Sequence, residues 1–529
     1  MKKHSAHHIK NLLLPCLFFS ILTGFLSAVL TTLFKLAAEW VIHLSGSIHG
    51  KVAADAKWLL LLVLGCAAIG LAASVILSRS RSCRGGGIPT SVAAIKGMMS
   101  FKWLASVLIL PFSALLTFLC GIPLGTEGPC VQMGTAIGDG IVTCFAGKSK
   151  HRGWRKYIMT GGAAAGFSIA AGAPISAIIF SIEEIHKRLS LVLITVASMS
   201  VVTAQLTADL LAKIGIGNSG GLFHIDVMPT LSNKELFAPI IVGLICGLCS
   251  IFFTRLYQFA DALMRRILNK ISIKILFPIL FAGIAIVGFF LAGALGTGHA
   301  LVDTLLSTKI TWYLLIIIFL VRAIFMTVSN TSGVTGGVFL PTLAFGAIIG
   351  SLCAQLMISL GWIGSEHYVL MVVLGITSFL GSTSRIPVTA SVFAIEAMGG
   401  INNIIPIIIA STVALLTVEV SGLDDFTDTL INAKLNALTQ GKKSKIIEVS
   451  LTVGPDAFVI GKEIKDILWP YTCLVLSLER TNVVRGTAEI FEGDIITVHY
   501  ETYDPKNTAD ELECLAGKQS DEIRILMLG

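Results

Sequence analysis

Glu127 raises the first chemical question. It lies in Leu124–Gly138, LGTEGPCVQMGTAIG, between glycines and a proline, with apolar chain on both sides. A carboxylate in such surroundings is costly unless it is paired, hydrogen-bonded or at work. The Gly-x-x-x-Pro pattern around it reads as a helix start, because proline suits the first turn and glycine lets backbone approach a ligand. The free amides of such a start, with the helix dipole behind them, make a site for a small anion. A carboxylate placed there competes with that anion: ionised it plugs the site, protonated it vacates it. One side chain can then serve as gate and proton carrier. The bland reading, an acid that merely satisfies first-turn donors, is common for helices elsewhere.

Two more stretches share the pattern, GVFLP at Gly337–Pro341 and GGGIP at Gly85–Pro89. The first belongs to a repeat. Gly125–Gly138 matches GVFLPTLAFGAIIG (Gly337–Gly350) at Gly, Pro, Gly, Ile and Gly, and APISAIIFSIE (Ala173–Glu183) matches IPVTASVFAIE (Ile386–Glu396), at offsets of 212 and 213 residues. Two matches at nearly one offset mark a duplicated unit, with halves at about residues 11–215 and 235–430. Duplicated, inverted halves with broken helices meeting near the midplane are a transporter architecture. None of the three starts contains a lysine or arginine, which suits an anion that must also leave.

These starts need a membrane to sit in. The 529-residue chain is 54% hydrophobic and 13% charged, with mean hydropathy +0.84, about half the charge of soluble domains. Runs long enough to span a bilayer begin at Asn11, Trp58, Leu276 and Asn403. Leu108–Pro123 and Tyr368–Gly381 are too short or broken to span alone, and irregular backbone is tolerated only inside protein or along a cavity. The start MKKHSAHHIK lacks a cleavage site, and with the basic loop Lys148–Lys156 and the tail after Lys434 it is expected to face the cytoplasm. The net charge of +7 thus calls for no nucleic acid. The eleven cysteines are scattered, and CGLC at Cys246–Cys249 reads as small residues on a lipid-embedded helix. No metal, cofactor or catalytic constellation stands in the apolar segments, which argues against an enzyme.

Beyond Gly441 the pattern changes to strand alternation, as in KIIEVSLTVG, CLVLSLER and DIITVHY. The expected fold is therefore an all-α polytopic membrane protein over 1–434, a linker at 435–444 and a small cytoplasmic α+β domain at 445–529.

With these motifs in view, the chain over Leu13–Leu430 resembles the CLC family of chloride channels and proton-coupled anion antiporters. GGGIP, GTEGP and GVFLP stand where that family has Gly-Ser-Gly-Ile-Pro, Gly-Arg-Glu-Gly-Pro and Gly-x-Phe-x-Pro, followed by IEE and IEA. The resemblance implies an inverted-repeat fold, a homodimer in the plasma membrane with an anion pathway in each subunit, and exchange of chloride or a similar anion for protons. It places Glu127 on the gating glutamate and Glu184 on the internal proton glutamate. It also places Gly86, Ile88, Gly125, Gly128, Val338, Phe339 and Phe426 around the anion, Val338 and Phe339 through their amides. Three departures stand out: Gly86 replaces a serine, Phe426 a tyrosine and Thr126 an arginine. The anion site is accordingly expected to lean on backbone amides alone. A passive chloride channel and a fluoride/proton antiporter of the same family stay open as alternatives. The tail resembles the C-terminal subdomain of RCK-type regulators, with dimer stabilisation and ligand sensing both open. Glu396, the repeat partner of Glu183, is expected to be structural, Arg385 to cap or anchor, and His186 and His7–His8 to be surface residues. Glu184 has a second reading, pairing with Lys187 or Arg188 at a solvated helix end.

Overall fold

The computed structural model describes residues 14–99, 101–145, 152–217, 220–223, 225, 228–439, 445–455, 457–478, 486–502, 505–516 and 519–526. Among them, eight helices are long and apolar enough to cross a membrane. The first half runs α1 (Leu14–Ala54), α2 (Leu59–Ser78), α3 (Gly87–Ile95), α4 (Trp103–Leu119), α5 (Glu127–Phe145), α6 (Arg155–Ala171), α7 (Pro174–Phe180) and α8 (Leu191–Lys213). The second repeats it as α9 (Phe237–Leu268), α10 (Ile273–Phe290), α11 (His299–Ser307), α12 (Trp312–Ser332), α13 (Phe339–Ser359), α14 (Tyr368–Thr383), α15 (Pro387–Met398) and α16 (Ile404–Val420). A further helix, α17 (Phe426–Thr439), extends past the boundary expected at residue 434.

Long helices such as α2, α8, α10 and α12 present large apolar side chains outward, as lipid requires, while α6 and α14 are enclosed. Lipid is as apolar as leucine, so helices in it associate through close packing of small residues. Here Gly134 lies against the Gly162 carbonyl between α5 and α6, and Gly346 against the Gly375 carbonyl between α13 and α14. One arrangement thus recurs in both halves.

The halves also grip each other reciprocally. Gly125 and Gly337 exchange N–H···O bonds of 2.7 Å in each direction, an isolated antiparallel bridge. The Glu183 carboxylate accepts from the amides of Val388 (3.2 Å) and Thr389 (2.8 Å), and Glu396 from those of Ile175 and Ser176, both at 2.7 Å. Each glutamate also accepts a hydroxyl at 2.7 Å, from Thr389 and Ser176 respectively. Each half therefore caps the other's short helix, a two-fold relation that satisfies orphan first-turn donors. Glu396 is structural, as expected, and so is Glu183.

The C-terminal domain is a four-stranded antiparallel sheet in the order β2-β3-β1-β4, made of β1 (Lys445–Thr452), β2 (Leu474–Leu478), β3 (Ile495–Thr502) and β4 (Gln519–Leu526), with helix α18 (Pro505–Ala516). Alternation on β1 buries Ile447, Val449 and Leu451 against Ile496, Val498 and Tyr500 of β3. This core is continuous with the membrane domain, because Trp154, Tyr157, Ile158 and Val196 belong to the same apolar cluster. The Tyr157 hydroxyl donates to the Asp466 carbonyl at 2.6 Å and Lys156 pairs with Glu511 at 2.7 Å. The linker residues 440–444, the loop residues 146–151 and His7–His8 lie outside the described residues.

Candidate functional site

Three glycine-proline starts cross at one point. A Cβ added to Gly87 would fall 1.8 Å from the Gly128 carbonyl oxygen, and one added to Gly128 would fall 2.6 Å from Gly337 Cα. Only glycine permits backbones this close. The crossing fixes the N-termini of α3, α5 and α13 beside one another.

Next to it is a cavity of about 20 Å³, lined by Ile88 and Pro89 of α3, Phe180, Glu184, Val338 and Phe339 at the start of α13, Thr342, Ser384, Ile386, and Thr427 and Leu430 of α17. Such a volume holds one water-sized guest. Ile88, Val338, Phe339 and Glu184 thus meet at one cavity. The Phe339 ring packs edge-on between Phe167 and Phe393, with centroids at 5.0 and 5.7 Å. Any contribution from Phe339 to a guest would come from its first-turn amide, which has no acceptor within the helix.

Four expected residues do not line this cavity. Gly125 and Gly128 are used up in the crossing just described. Gly86 faces a separate vestibule of about 300 Å³, together with Arg81, Arg84, Arg265 and Lys434. Phe426 is buried against Phe253 and Tyr257, with ring centroids at 5.2 and 5.1 Å, and leaves the cavity wall to Leu430 one turn later. Thr342, Ser384 and Thr427, from positions outside the motifs, also line the cavity, with the Thr342 hydroxyl donating to the Phe339 carbonyl. Pro89 and Leu430 line both cavity and vestibule, so the two adjoin.

Glu127 is fully buried as the first residue of α5. Its Oε1 is 3.4 Å from the Thr126 hydroxyl, and among the described residues its Oε2 has no hydrogen-bond partner. The carboxylate folds back toward Gly125, where an added Cβ would meet Oε2 at 2.6 Å and Leu340 Cβ at 3.0 Å. It therefore shares a crevice with the first turn of α13 without plugging the cavity.

Glu184 sits in a π-helical turn, Ser181–His186, that continues α7. Such turns often mark functional positions. Glu184 is 2% exposed, and its Oε2 has no partner among the described residues. The ion pairs that would have made it a solvated helix end are directed elsewhere. Lys187 donates to Asp425 at 2.7 Å and Asp428 at 2.8 Å, and Arg188 to the Ile467 carbonyl at 3.0 Å. Burial opposes the Lys187 charge, yet the two aspartates hold its ammonium above the usual lysine range. His186 is half-buried rather than fully on the surface, and its Nε2 lies 2.8 Å from the Thr160 hydroxyl.

Three cations that sequence reasoning passed over or left general gain definite places. Lys434 spends its ammonium on the carbonyls of Ser82 (3.2 Å) and Arg84 (2.9 Å) and on the Thr90 hydroxyl, tying α17 to the loop before α3. Arg322, fully buried inside an apolar helix, donates to the carbonyls of Gly293, Leu295 and Gly296 at 2.9–3.3 Å. Its place in the apolar run WYLLIIIFLVRAIF was the available signal. Arg385 anchors, as expected, through Glu419 (2.8 Å) and the Leu423 carbonyl.

The family model described as "Voltage gated chloride channel" matches residues 69–419. The "H(+)/Cl(-) exchange transporter ClcA" of Cronobacter sakazakii is 26% identical over 417 residues, which cover 77% of this chain and 87% of that protein. The protein of the same name from Klebsiella pneumoniae is 24% identical over 426 residues, covering 80% and 89%. Among solved structures, a slow cyanobacterial Cl−/H+ antiporter superposes with a TM-score of 0.71 at 22% identity, over 79% of this chain and 98% of that one. A CLC-type fluoride/proton antiporter gives 0.63 at 20% identity, over 76% and 95%.

Proposed function

This chain belongs to the voltage-gated chloride channel (CLC) family of multi-pass membrane proteins, and on that premise we propose that it exchanges a chloride-class anion for protons across a lipid bilayer. The observation that carries the reading is the meeting of Glu184 with the α13 start around one ion-sized cavity. Two of its relatives are named H(+)/Cl(−) exchange transporters.

In this mechanism the anion sheds water in the vestibule, where Arg81, Arg84 and Lys434 raise its local concentration. It then passes Pro89 and Leu430 into the cavity. First-turn amides of α3 and α13 replace its hydration, and the hydroxyls of Ser384 and Thr427 supplement them. Lys434 is held by three protein oxygens, and no lysine or arginine is among the described residues lining the cavity itself. On the far side, Glu127 alternates between its crevice beside Gly125, where it carries a proton, and the α13 amides, which it occupies when ionised and the anion has gone. Glu184 passes protons between the cavity and the cytoplasm. Anion and proton thus share the cavity but leave it by different routes on the cytoplasmic side.

A fluoride/proton exchanger is a second reading, favoured by the small size of the cavity and the substitutions at Gly86 and Thr126. A homodimer in the plasma membrane, cytoplasmic termini and an RCK-C-like regulatory tail after residue 445 complete the proposal. The deciding experiment uses purified protein in liposomes under an imposed chloride gradient, with external pH and anion efflux followed together and then repeated with fluoride. Uphill proton movement driven by chloride is expected. Chloride flux with no proton movement would make the protein a channel, and flux with fluoride alone would change the substrate.

A further inference from the structure

At the seam between the membrane and C-terminal domains lies a second cavity, of about 370 Å³, within the range of small-molecule sites. Lys96 after α3, Lys156 of α6, and Lys187 and Arg188 after α7 converge on it, facing Trp469 and Tyr471 of the C-terminal domain. Asp428 is the lone carboxylate among the described lining residues. Two of these cations are already compensated, Lys156 by Glu511 and Lys187 by Asp425 and Asp428. The other two make no direct ion pair among the described residues, although Asp428, Glu184 and Asp425 lie near Lys96 and Asp466 near Arg188. Among the described residues, Lys96 Nζ has only the Tyr471 ring, 5.6 Å to the centroid, and Arg188 only the Ile467 carbonyl. Burial, and the nearby charge of Lys187, hold the Lys96 ammonium below its usual range despite Asp428. Crowded like charges around a void are unfavourable until an anion enters it. The void is far larger than a single halide needs. A tetrahedral dianion matches two cations that lack a direct ion-pair partner, and the guanidinium fork of Arg188 suits two of its oxygens.

We propose that this seam binds a phosphate-bearing anion, with Lys96 and Arg188 as its charged ligands and Trp469 and Tyr471 as the opposing wall. The phosphate can belong to a soluble metabolite or to a lipid headgroup, since Arg188 is followed by the exposed apolar Leu189 and Leu191. Lys187 links the site to the pore. It holds a left-handed backbone, φ 51°, and clamps Asp425 and Asp428 at the start of α17. An anion that draws Lys187 away frees Thr427 and Leu430, which line the central cavity. That consequence rests on the transport reading; the binding does not.

The test uses the full-length protein in detergent, titrated with inorganic pyrophosphate at constant ionic strength, with heat of binding and thermal midpoint as readouts and sodium chloride as control. Saturable binding that chloride does not reproduce is expected. Lys96→Gln with Arg188→Gln should weaken it by about tenfold or more, while Lys96→Arg with the native Arg188 retains it. The unliganded midpoint shows whether the double variant folds; if it does not, Arg188→Lys alone, which loses the fork, replaces it and should also bind more weakly. In a second arm, the protein is placed in nanodiscs of neutral or anionic phospholipid. Pyrophosphate binding blocked by the anionic lipid identifies a headgroup as the source; binding unaffected by lipid identifies a soluble one. Absence of binding to both sources, or binding unchanged in the variants, overturns the proposal.

Discussion

The two halves of the membrane domain share a backbone plan but diverge at the positions that face the pore. Glu127 and Phe339 are equivalent first residues of α5 and α13. One half places there a buried carboxylate with one oxygen unpartnered among the described residues, the other a ring packed between two further rings. Glu183 and Glu396 remain the same in both halves and do the same thing, each capping the other half's helix. Glu184 has Ala397 as its counterpart. The π turn adds a residue in the first half, so α7 closes on Lys187 (φ 51°) where α15 closes on Gly399 (φ 70°). Conversely, Gly172 (φ 61°) before α7 corresponds to Arg385 (φ 54°) before α15. Both left-handed cations reach the segment Glu419–Asp428 that leads into α17. Glu183 and Glu396, which obey the repeat, hold the fold, whereas Glu184, which breaks it, lines the cavity.

The largest effect expected follows from removing the first asymmetry. Glu127→Gln should lower proton movement by about a hundredfold or more while anion flux in liposomes continues; retained proton pumping would return Glu127 to a first-turn acid. Gly128→Ala attacks the contact between the halves. Its Cβ meets the Gly337 backbone, which cannot give way, so a loss of more than about 3 kcal/mol is expected, seen as little folded protein on size exclusion.

The glutamates sharpen the comparison further. Glu183→Ala and Glu396→Ala should each cost about 2 kcal/mol and lower the thermal midpoint alike, because each strands two amides and a hydroxyl. Glu184→Gln should leave that midpoint unchanged and reduce proton coupling instead. A Glu183 variant with the stability of the native chain would break the symmetry argument. The smallest effect belongs to Lys187→Gly, which makes the first half close like the second. It loses two ion pairs, to the buried Asp425 and the partly exposed Asp428, in which the lysine itself is 41% exposed. With that screening they are worth about 1 kcal/mol together, and the change relieves left-handed strain of about 1 kcal/mol. Its midpoint should therefore stay within a degree or two, and a large fall would mean that the clamp contributes more than its exposure suggests.

Much of this was readable from the chain. The repeat, the three glycine-proline starts, the membrane helices and the three named strands follow from periodicity and spacing, which are local. Of the residues that the resemblance singles out, Glu184, Ile88, Val338 and Phe339 line one cavity, and Glu127 lies in a crevice beside it. Gly86, Gly125, Gly128 and Phe426 face other surfaces, because a motif reports that backbone or a ring is needed there and not which surface it meets. Gly128 proved to be a contact between helices, and Phe426 part of an aromatic cluster one turn from the cavity wall.

By itself, the sequence determined a duplicated, lipid-embedded helical unit with a small α+β tail, because hydropathy and proline-glycine punctuation act over a few residues. Tertiary structure alone decided that Ser384, Thr427 and Leu430 finish the ion-sized cavity, that Lys434 spends its charge on carbonyls, and that Lys96 and Arg188 meet across a domain seam. Each of these depends on partners tens to hundreds of residues away, and only the packed chain brings those partners within the few ångströms over which hydrogen bonds and charges act.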